Sequence, residues 1–175
     1  ISNAQGGNHG YGVSLEFPGN GTITATFGAA SGWTVVPSTT TFNQGEWNHL
    51  AVTSTPNDSI ALYINGVKMG SAPFGDYYST PHDLKLGGSV YFSSDVVNKV
   101  DFDEFRIWNQ IRTGEEIRNG MYQEMSNSTD TSLKINYSFN ESHHGYYFNT
   151  GALADSIPTG SNAELIPATD PVRFD

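Results

Sequence analysis

The chain has 175 residues, 18 acidic against 8 basic side chains, a formal net charge of −10 and no cysteine. That length suits one domain around a single core. The acidity, with the few Lys and Arg scattered, excludes phosphate-backbone binding and docking on an anionic membrane, and the missing cysteine removes disulfides, thiolate zinc sites and cysteine nucleophiles together.

Alternation dominates the first half. Tyr11, Val13, Leu15 and Phe17 share one face while Gly12, Ser14 and Glu16 share the other, which predicts a half-buried strand. Asn20-Gly21 reads as a tight hairpin turn, because both central positions of a type I′ turn need positive φ. The return strand sets Ile23, Ala25 and Phe27 against Thr22, Thr24 and Thr26. Trp33 to Val36 is a short β-prone run stopped by Pro37. Trp47 to Thr53 is a further strand; Ile60, Leu62 and Ile64 alternate in another, and Asn65-Gly66 turns it into Val67 to Met69. Ser71 to Pro81 reads as a loop, Leu84 to Leu86 as a short strand, and Val100 to Trp108 as the longest strand. In that last segment the apolar parity changes between Phe102 and Phe105, so a bulge is expected near Asp103-Glu104.

One helix stands out. Thr113 and Glu116 form an S/T-x-x-E capping box, followed by Ile117, Met121 and Met125 at i+4 spacing, which predicts a helix from about Gly114 to about Tyr122. Leu133 to Phe139 is the final clear strand, and from Glu141 onward the chain is rich in Gly, Asn and Pro. Short strands punctuated by turns, with one helix late in the chain, predict an all-β antiparallel two-sheet sandwich over residues 1–140 and an irregular extension over 141–175. No apolar run approaches the ~20 residues that span a bilayer. Ile1 opens without a starting Met or a signal segment, so the chain reads as a piece of a longer protein.

Four ordered blocks carry a family likeness: Gly45-Glu46-Trp47-Asn48-His49-Leu50-Ala51-Val52-Thr53, Leu62-Tyr63-Ile64-Asn65-Gly66-Val67, Leu86-Gly87-Gly88, and Val100 to Asn109 (VDFDEFRIWN). With the exit through Arg112-Thr113 into a short helix, they resemble the laminin-G-like jelly roll of the concanavalin A-like lectin and glucanase superfamily. Leu133 to Phe139 followed by Asn140-Glu141 also resembles the strand and loop that follow such domains in large bacterial surface proteins. The family pattern places two strands ahead of the segment matching Ile1 to Phe17. They are absent here, so the jelly roll is expected to lack its first strands, and the remainder of a larger parent chain, or a second chain, is expected to supply them. Pro171 to Asp175 (PVRFD) reads as the start of a further such strand.

The superfamily's glucanases use paired carboxylates on alternate strand positions, about 5 Å apart in retaining enzymes. Asp101, Asp103 and Glu104 lack that spacing, because the last two are adjacent and diverge on a strand. None of the five histidines, His9, His49, His82, His143 and His144, sits in a zinc-enzyme frame, and no G-x-S-x-G, P-loop or dinucleotide fingerprint occurs. No catalytic residue is assigned. Calcium is the inorganic partner that the turn carboxylates Asp76, Asp83, Asp95, Asp101 and Asp103 suit, with Asp101 and Asp103 as the candidate ligands, and the resemblance implies an ion near a sheet rim. The structural alternative has Asp101 and Asp103 hydrogen-bond the bulge and pair with Arg106.

Sugar binding needs exposed aromatic platforms beside polar rims, because the CH faces of pyranose rings pack on π faces. The ligand-binding candidates are Tyr77 and Tyr78 in the Pro-Gly-Asp loop and Tyr91, with Phe92 and Tyr146-Tyr147 behind them. Trp33, Trp47 and Trp108 sit among β-branched and apolar neighbours and read as core. Asp58-Ser59-Ile60 and Asp155-Ser156-Ile157 fit an O-glycosylation pattern, and Asn20, Asn57, Asn127, Asn136 and Asn140 open N-x-S/T sequons; both lean toward export. The expectation is a non-catalytic recognition and adhesion module at a bacterial cell surface or outside the cell. Its partner is a glycan or another surface polymer, with calcium as cofactor. A purely structural or protein-interaction module of a surface adhesin is the alternative, and a glycoside hydrolase ranks third.

Overall fold

The computed structural model describes residues 7, 9–15, 22–38, 45–78, 84, 86, 101–125, 129–140, 146–147 and 163–164. The chain divides into two compact units, Ile1–Val100 with Ile111–Tyr122, and Asp101–Gln110 with Gln123–Asp175.

The first unit holds two three-stranded antiparallel sheets. One is built from β1 (Tyr11–Leu15), β2 (Ile23–Ala29) and β3 (Gly32–Pro37), the other from β4 (Leu50–Thr55), β5 (Asp58–Ile64) and β6 (Val67–Phe74), each in chain order. β1 and β2 pair antiparallel with Leu15 opposite Ile23 and Tyr11 opposite Phe27. The Asn20-Gly21 turn lies outside the described residues. The core joins the two sheets: Ile23, Ala25, Ala29 and Val36 from the first meet Ile60, Leu62, Ile64 and Phe74 from the second. Phe27 and Phe74 touch edge to face at 5.7 Å between centroids, the aromatic geometry that the ring quadrupole favours. At Gly70 the backbone of β6 passes close to β3, and a Cβ there would stand 3.0 Å from Val36 Cγ1.

The β5–β6 turn follows the sequence. Asn65 and Gly66 both take left-handed φ, 50° and 73°, as a two-residue turn between right-twisted strands demands. β6 then runs on to Phe74, through residues expected to be loop. Pro73 is tolerated because β6 is an edge strand among the described residues. Leu84 and Leu86 are described and belong to no strand, contrary to the short strand expected there.

Two tryptophans correct the sequence reading. Trp33 is 37% exposed on the outer face of β3, and Trp47, just ahead of β4, is 70% exposed. Strand parity decides the first case: Val36 takes the core side of β3, which leaves Trp33 and Val35 facing out. For Trp47, β4 begins only at Leu50, so no strand carries it inward.

Helix α1 (Gly114–Gly120) closes this unit. Thr113 Oγ1 accepts the Glu116 N–H at 3.2 Å and the Glu116 carboxylate accepts the Thr113 N–H at 2.7 Å, which completes the predicted capping box. Ile117 is its buried residue. The helix stops two residues short of the expected Tyr122, whose ring is 87% exposed.

The second unit contains the antiparallel pair β7 (Phe105–Trp108) and β8 (Leu133–Tyr137) and the short pair β9 (Tyr146–Tyr147) and β10 (Ala163–Glu164). β7 is shorter than predicted because Glu104 adopts a left-handed φ of 51°, a break where a bulge was expected. The register shift itself falls between Ile107 and Trp108. β8 likewise ends at Tyr137, two residues before the expected Phe139, which takes a left-handed φ of 56°. Phe105, Tyr137 and Phe139 form a run of stacked rings, with centroids 6.5 and 6.0 Å apart, and burial raises the Tyr137 phenol above its ordinary range.

Candidate functional site

The chain leaves β6 at Phe74 and crosses from the second sheet to the first through Gly75, Asp76, Tyr77 and Tyr78. Backbone bonds tie this crossing to two remote segments. Tyr77 forms an antiparallel bridge with Ala29 at the end of β2. The Tyr78 N–H donates to the Gly28 carbonyl at 3.0 Å, the Gly10 N–H to the Tyr78 carbonyl at 2.8 Å, and the Gly28 N–H to the Gly10 carbonyl at 2.8 Å. Three segments distant in sequence are thus knitted together, and the two tyrosines ride on the seam.

Their rings stay in contact with solvent: Tyr77 is 37% and Tyr78 43% exposed. The imidazole of His9 lies 4.2 Å from the Tyr78 ring, inclined at 35°. Sequence reasoning passed over His9, because a lone histidine between Asn8 and Gly10 carries no periodic or motif signal. The structure therefore sets two of the three predicted tyrosines, both exposed, at adjacent positions of one crossing, a shelf on which an imidazole stands beside Tyr78. Tyr91 lies outside the described residues, as do Phe92, His82, His143 and His144.

A polar rim borders the shelf. The side-chain amide of Asn57, in the β4–β5 turn, donates to Asp76 Oδ1 at 2.8 Å. The Asn57 N–H donates to the Gly75 carbonyl at 3.3 Å. Asn57 takes a left-handed φ of 59°, which an Asx side chain tolerates. Asn57, Asp58 and Asp76 are all exposed. No basic residue lies among the described residues 56–58 and 75–78 of this rim.

The register of the second sheet places a different group at its other end. Asp58 pairs with Phe74 at the shelf end and Ile64 with Val67 at the far end, roughly 20 Å away for a seven-residue strand. There the His49 N–H donates to Asn65 Oδ1 at 2.8 Å and the Asn65 N–H to the His49 carbonyl at 2.8 Å. Trp47 and Val67 stand exposed at this pole.

Asp101 and Asp103 are both exposed in the second unit. Asp103 Oδ1 accepts the Glu104 N–H at 2.9 Å, which holds the left-handed residue in place. Arg106 pairs with the Glu104 carboxylate and also donates to the Gln123 carbonyl. The arginine partner is thus Glu104 rather than either aspartate. Among the described residues no three His, Asp or Glu side chains gather as a metal-binding group. Of the sequons, Asn136 is fully buried within β8, whereas Asn57 and Asn140 are exposed. No helix among the described residues is long and apolar enough to cross a membrane.

Residues 1–118 match the laminin-G family model described as concanavalin A-like lectin/glucanases superfamily. No curated protein matches the chain. Among solved structures, a crystal structure of an S-layer domain-containing protein (residues 221-444) from Clostridium thermocellum ATCC 27405 is similar at 22% identity and a TM-score of 0.39, covering 68% of this chain. The chain spans 60% of the length of that structure.

Proposed function

The chain belongs to the concanavalin A-like lectin/glucanase superfamily as a laminin-G-like jelly-roll domain, and from that premise we propose a non-catalytic recognition module that binds carbohydrate on the Tyr77–Tyr78 shelf. The observation that carries this reading is the pair of exposed tyrosines pinned by backbone bonds on both sides. Rigid aromatic faces beside polar groups are what a pyranose needs: its CH face packs on the ring and its hydroxyls take the rim. A fixed loop also lowers the ordering cost of binding. Cell-surface or extracellular recognition is the setting this reading takes, consistent with the exposed sequon at Asn140.

The described residues do not complete a calcium shell by themselves. Two exposed aspartates, one already accepting a backbone N–H, supply fewer oxygens than the roughly 6–8 that calcium takes, so carbohydrate recognition on the shelf invokes no metal. Melting with calcium and with EDTA tests the ion: a rise in Tm with calcium that Asp101→Asn or Asp103→Asn abolishes assigns those residues to it.

A second reading, a protein-interaction module, draws on the opposite pole, where Trp47 and Val67 are exposed. A glycan array with the wild type, Tyr78→Ala and Trp47→Ala separates the two. Glycan binding lost in Tyr78→Ala and kept in Trp47→Ala supports the shelf. No glycan retained by the wild type removes the carbohydrate reading.

A further inference from the structure

The shelf carries chemistry on one side that restricts what it can take. We propose that the Asn57–Asp76 pair is a specificity element that selects neutral carbohydrate and rejects sugars bearing carboxylate or sulfate; the proposal rests on the shelf reading above.

The geometry is that of a clamp between two hairpin ends. Asn57 belongs to the β4–β5 turn and Asp76 to the crossing that leaves β6, and the amide-to-carboxylate bond of 2.8 Å ties them. That bond occupies Oδ1 of Asp76 and one Nδ2 hydrogen of Asn57. Among the described residues no further hydrogen bond engages Asp76 Oδ2 or Asn57 Oδ1. The pair therefore presents two acceptors and one donor on the crossing that carries Tyr77 and Tyr78, a set suited to hydroxyl groups. Sugar hydroxyls donate to a carboxylate through charge-assisted bonds, which are shorter and stronger than neutral ones.

The same carboxylate repels an anion. Asp58 stands beside Asn57 with its own exposed carboxylate, and no Lys or Arg in the described rim offsets the two charges. The whole chain adds a net charge of −10, which slows the approach of any polyanion. An interface discriminates as much by the like charge it sets against the wrong ligand as by the bonds it makes to the right one. Bidentate recognition of a carboxylate or sulfate calls for arginine, and the described arginines of this unit, Arg112 and Arg118, lie on the helix side. Arg118 Cβ would meet a Cβ on Gly66, in the turn at the far end of β5 and β6.

Binding of neutral gluco-, manno-, galacto- and xylo-hexaoses, and of oligogalacturonate and sulfated galacto-oligosaccharides of matched length, is measured by NMR titration at low and physiological salt. Wild type, Asp76→Asn, Asn57→Gly and Tyr78→Ala are compared. Asp76→Asn keeps an oxygen that accepts the Asn57 amide, and Asn57→Gly keeps the left-handed turn, so both retain the local fold. The expected result is binding of at least one neutral probe, absence of binding by the anionic ones, and about tenfold weaker neutral binding in Asp76→Asn, the size of one lost hydrogen bond to a charged group. The preference for neutral over anionic probes falls in that variant, most clearly at low salt. Anionic probes that bind the wild type as tightly as neutral ones overturn the specificity proposal and leave the shelf standing. An unchanged preference in Asp76→Asn, with binding still lost in Tyr78→Ala, removes Asp76 from the role. Neutral binding that survives Tyr78→Ala, or no binding by any probe, overturns the shelf reading and this one with it.

Discussion

The imidazole of His9 and the phenol ring of Tyr78 lie 4.2 Å apart at an inclination of 35°, joining the segment ahead of β1 to the crossing that follows β6. Contacts of this kind contribute about 0.5–1.5 kcal/mol beyond area burial. A double-mutant cycle with His9→Ala and Tyr78→Ala, followed by urea unfolding, is expected to give a coupling energy in the lower half of that range, because both rings contact solvent. Zero coupling removes the pair as a support of the shelf.

Trp47 is expected to be dispensable for folding. At 70% exposure, its truncation removes little packing, and surface changes away from special features stay within about 0.5 kcal/mol. Leu62→Ala serves as the contrast, because Leu62 is fully buried between the sheets and such truncations cost about 2–5 kcal/mol. Equal losses in the two variants, read from chemical denaturation, would falsify the placement of Trp47.

Gly66→Ala is expected to destabilise through two additive causes. Gly66 has a φ of 73°, and a Cβ there would sit 3.1 Å from the Cα of Arg118, backbone of a helix that cannot shift cheaply. Gly45 shares the positive φ, at 77°, with nothing near its absent Cβ. Gly45→Ala thus reports the strain alone, of order 1 kcal/mol, and Gly66→Ala should exceed it by a clear margin in Tm. Equal shifts would show that the helix does not press on the turn.

Acid should loosen α1. Glu116 is held below the usual carboxylate range, chiefly by the Thr113 backbone N–H and then by the Thr113 hydroxyl, with Arg112 adding attraction. A depressed folded-state pKa means that the capping interaction is present above the unfolded-state pKa and is lost as pH falls through the folded value. Stability should therefore decline on acidification below the ordinary glutamate range, and Glu116→Gln should flatten that part of the profile. The check is Tm against pH for both proteins.

Alkaline pH acts on the second unit. Burial raises the Tyr137 phenol, so its neutral form is favoured in the folded state. That contribution is present below the unfolded-state pKa of tyrosine and is lost as pH rises through the folded value. Tyr137→Phe keeps the ring stack with Phe105 and Phe139 and should resist alkaline unfolding better than the wild type in a near-ultraviolet titration.

Local signals determined a good part of this molecule. The 2-residue alternation of Ile60, Leu62 and Ile64, the Asn65-Gly66 turn and the Thr113–Glu116 box were legible in the sequence because each is settled by neighbours a few residues away. The all-β class follows from their number and order. Tertiary structure decided the rest. Which side of β3 faces the core is fixed by a second sheet, so Trp33, apolar and β-prone, ends outside. Glu104 and Phe139, just outside β7 and β8, take left-handed backbone that no periodicity announces. The site belongs to the same category: His9 and Asp76 carry no motif and Asn57 only a sequon, and hydrogen bonds from Gly10, Gly28 and Asn57 draw these remote segments to one end of the sheets.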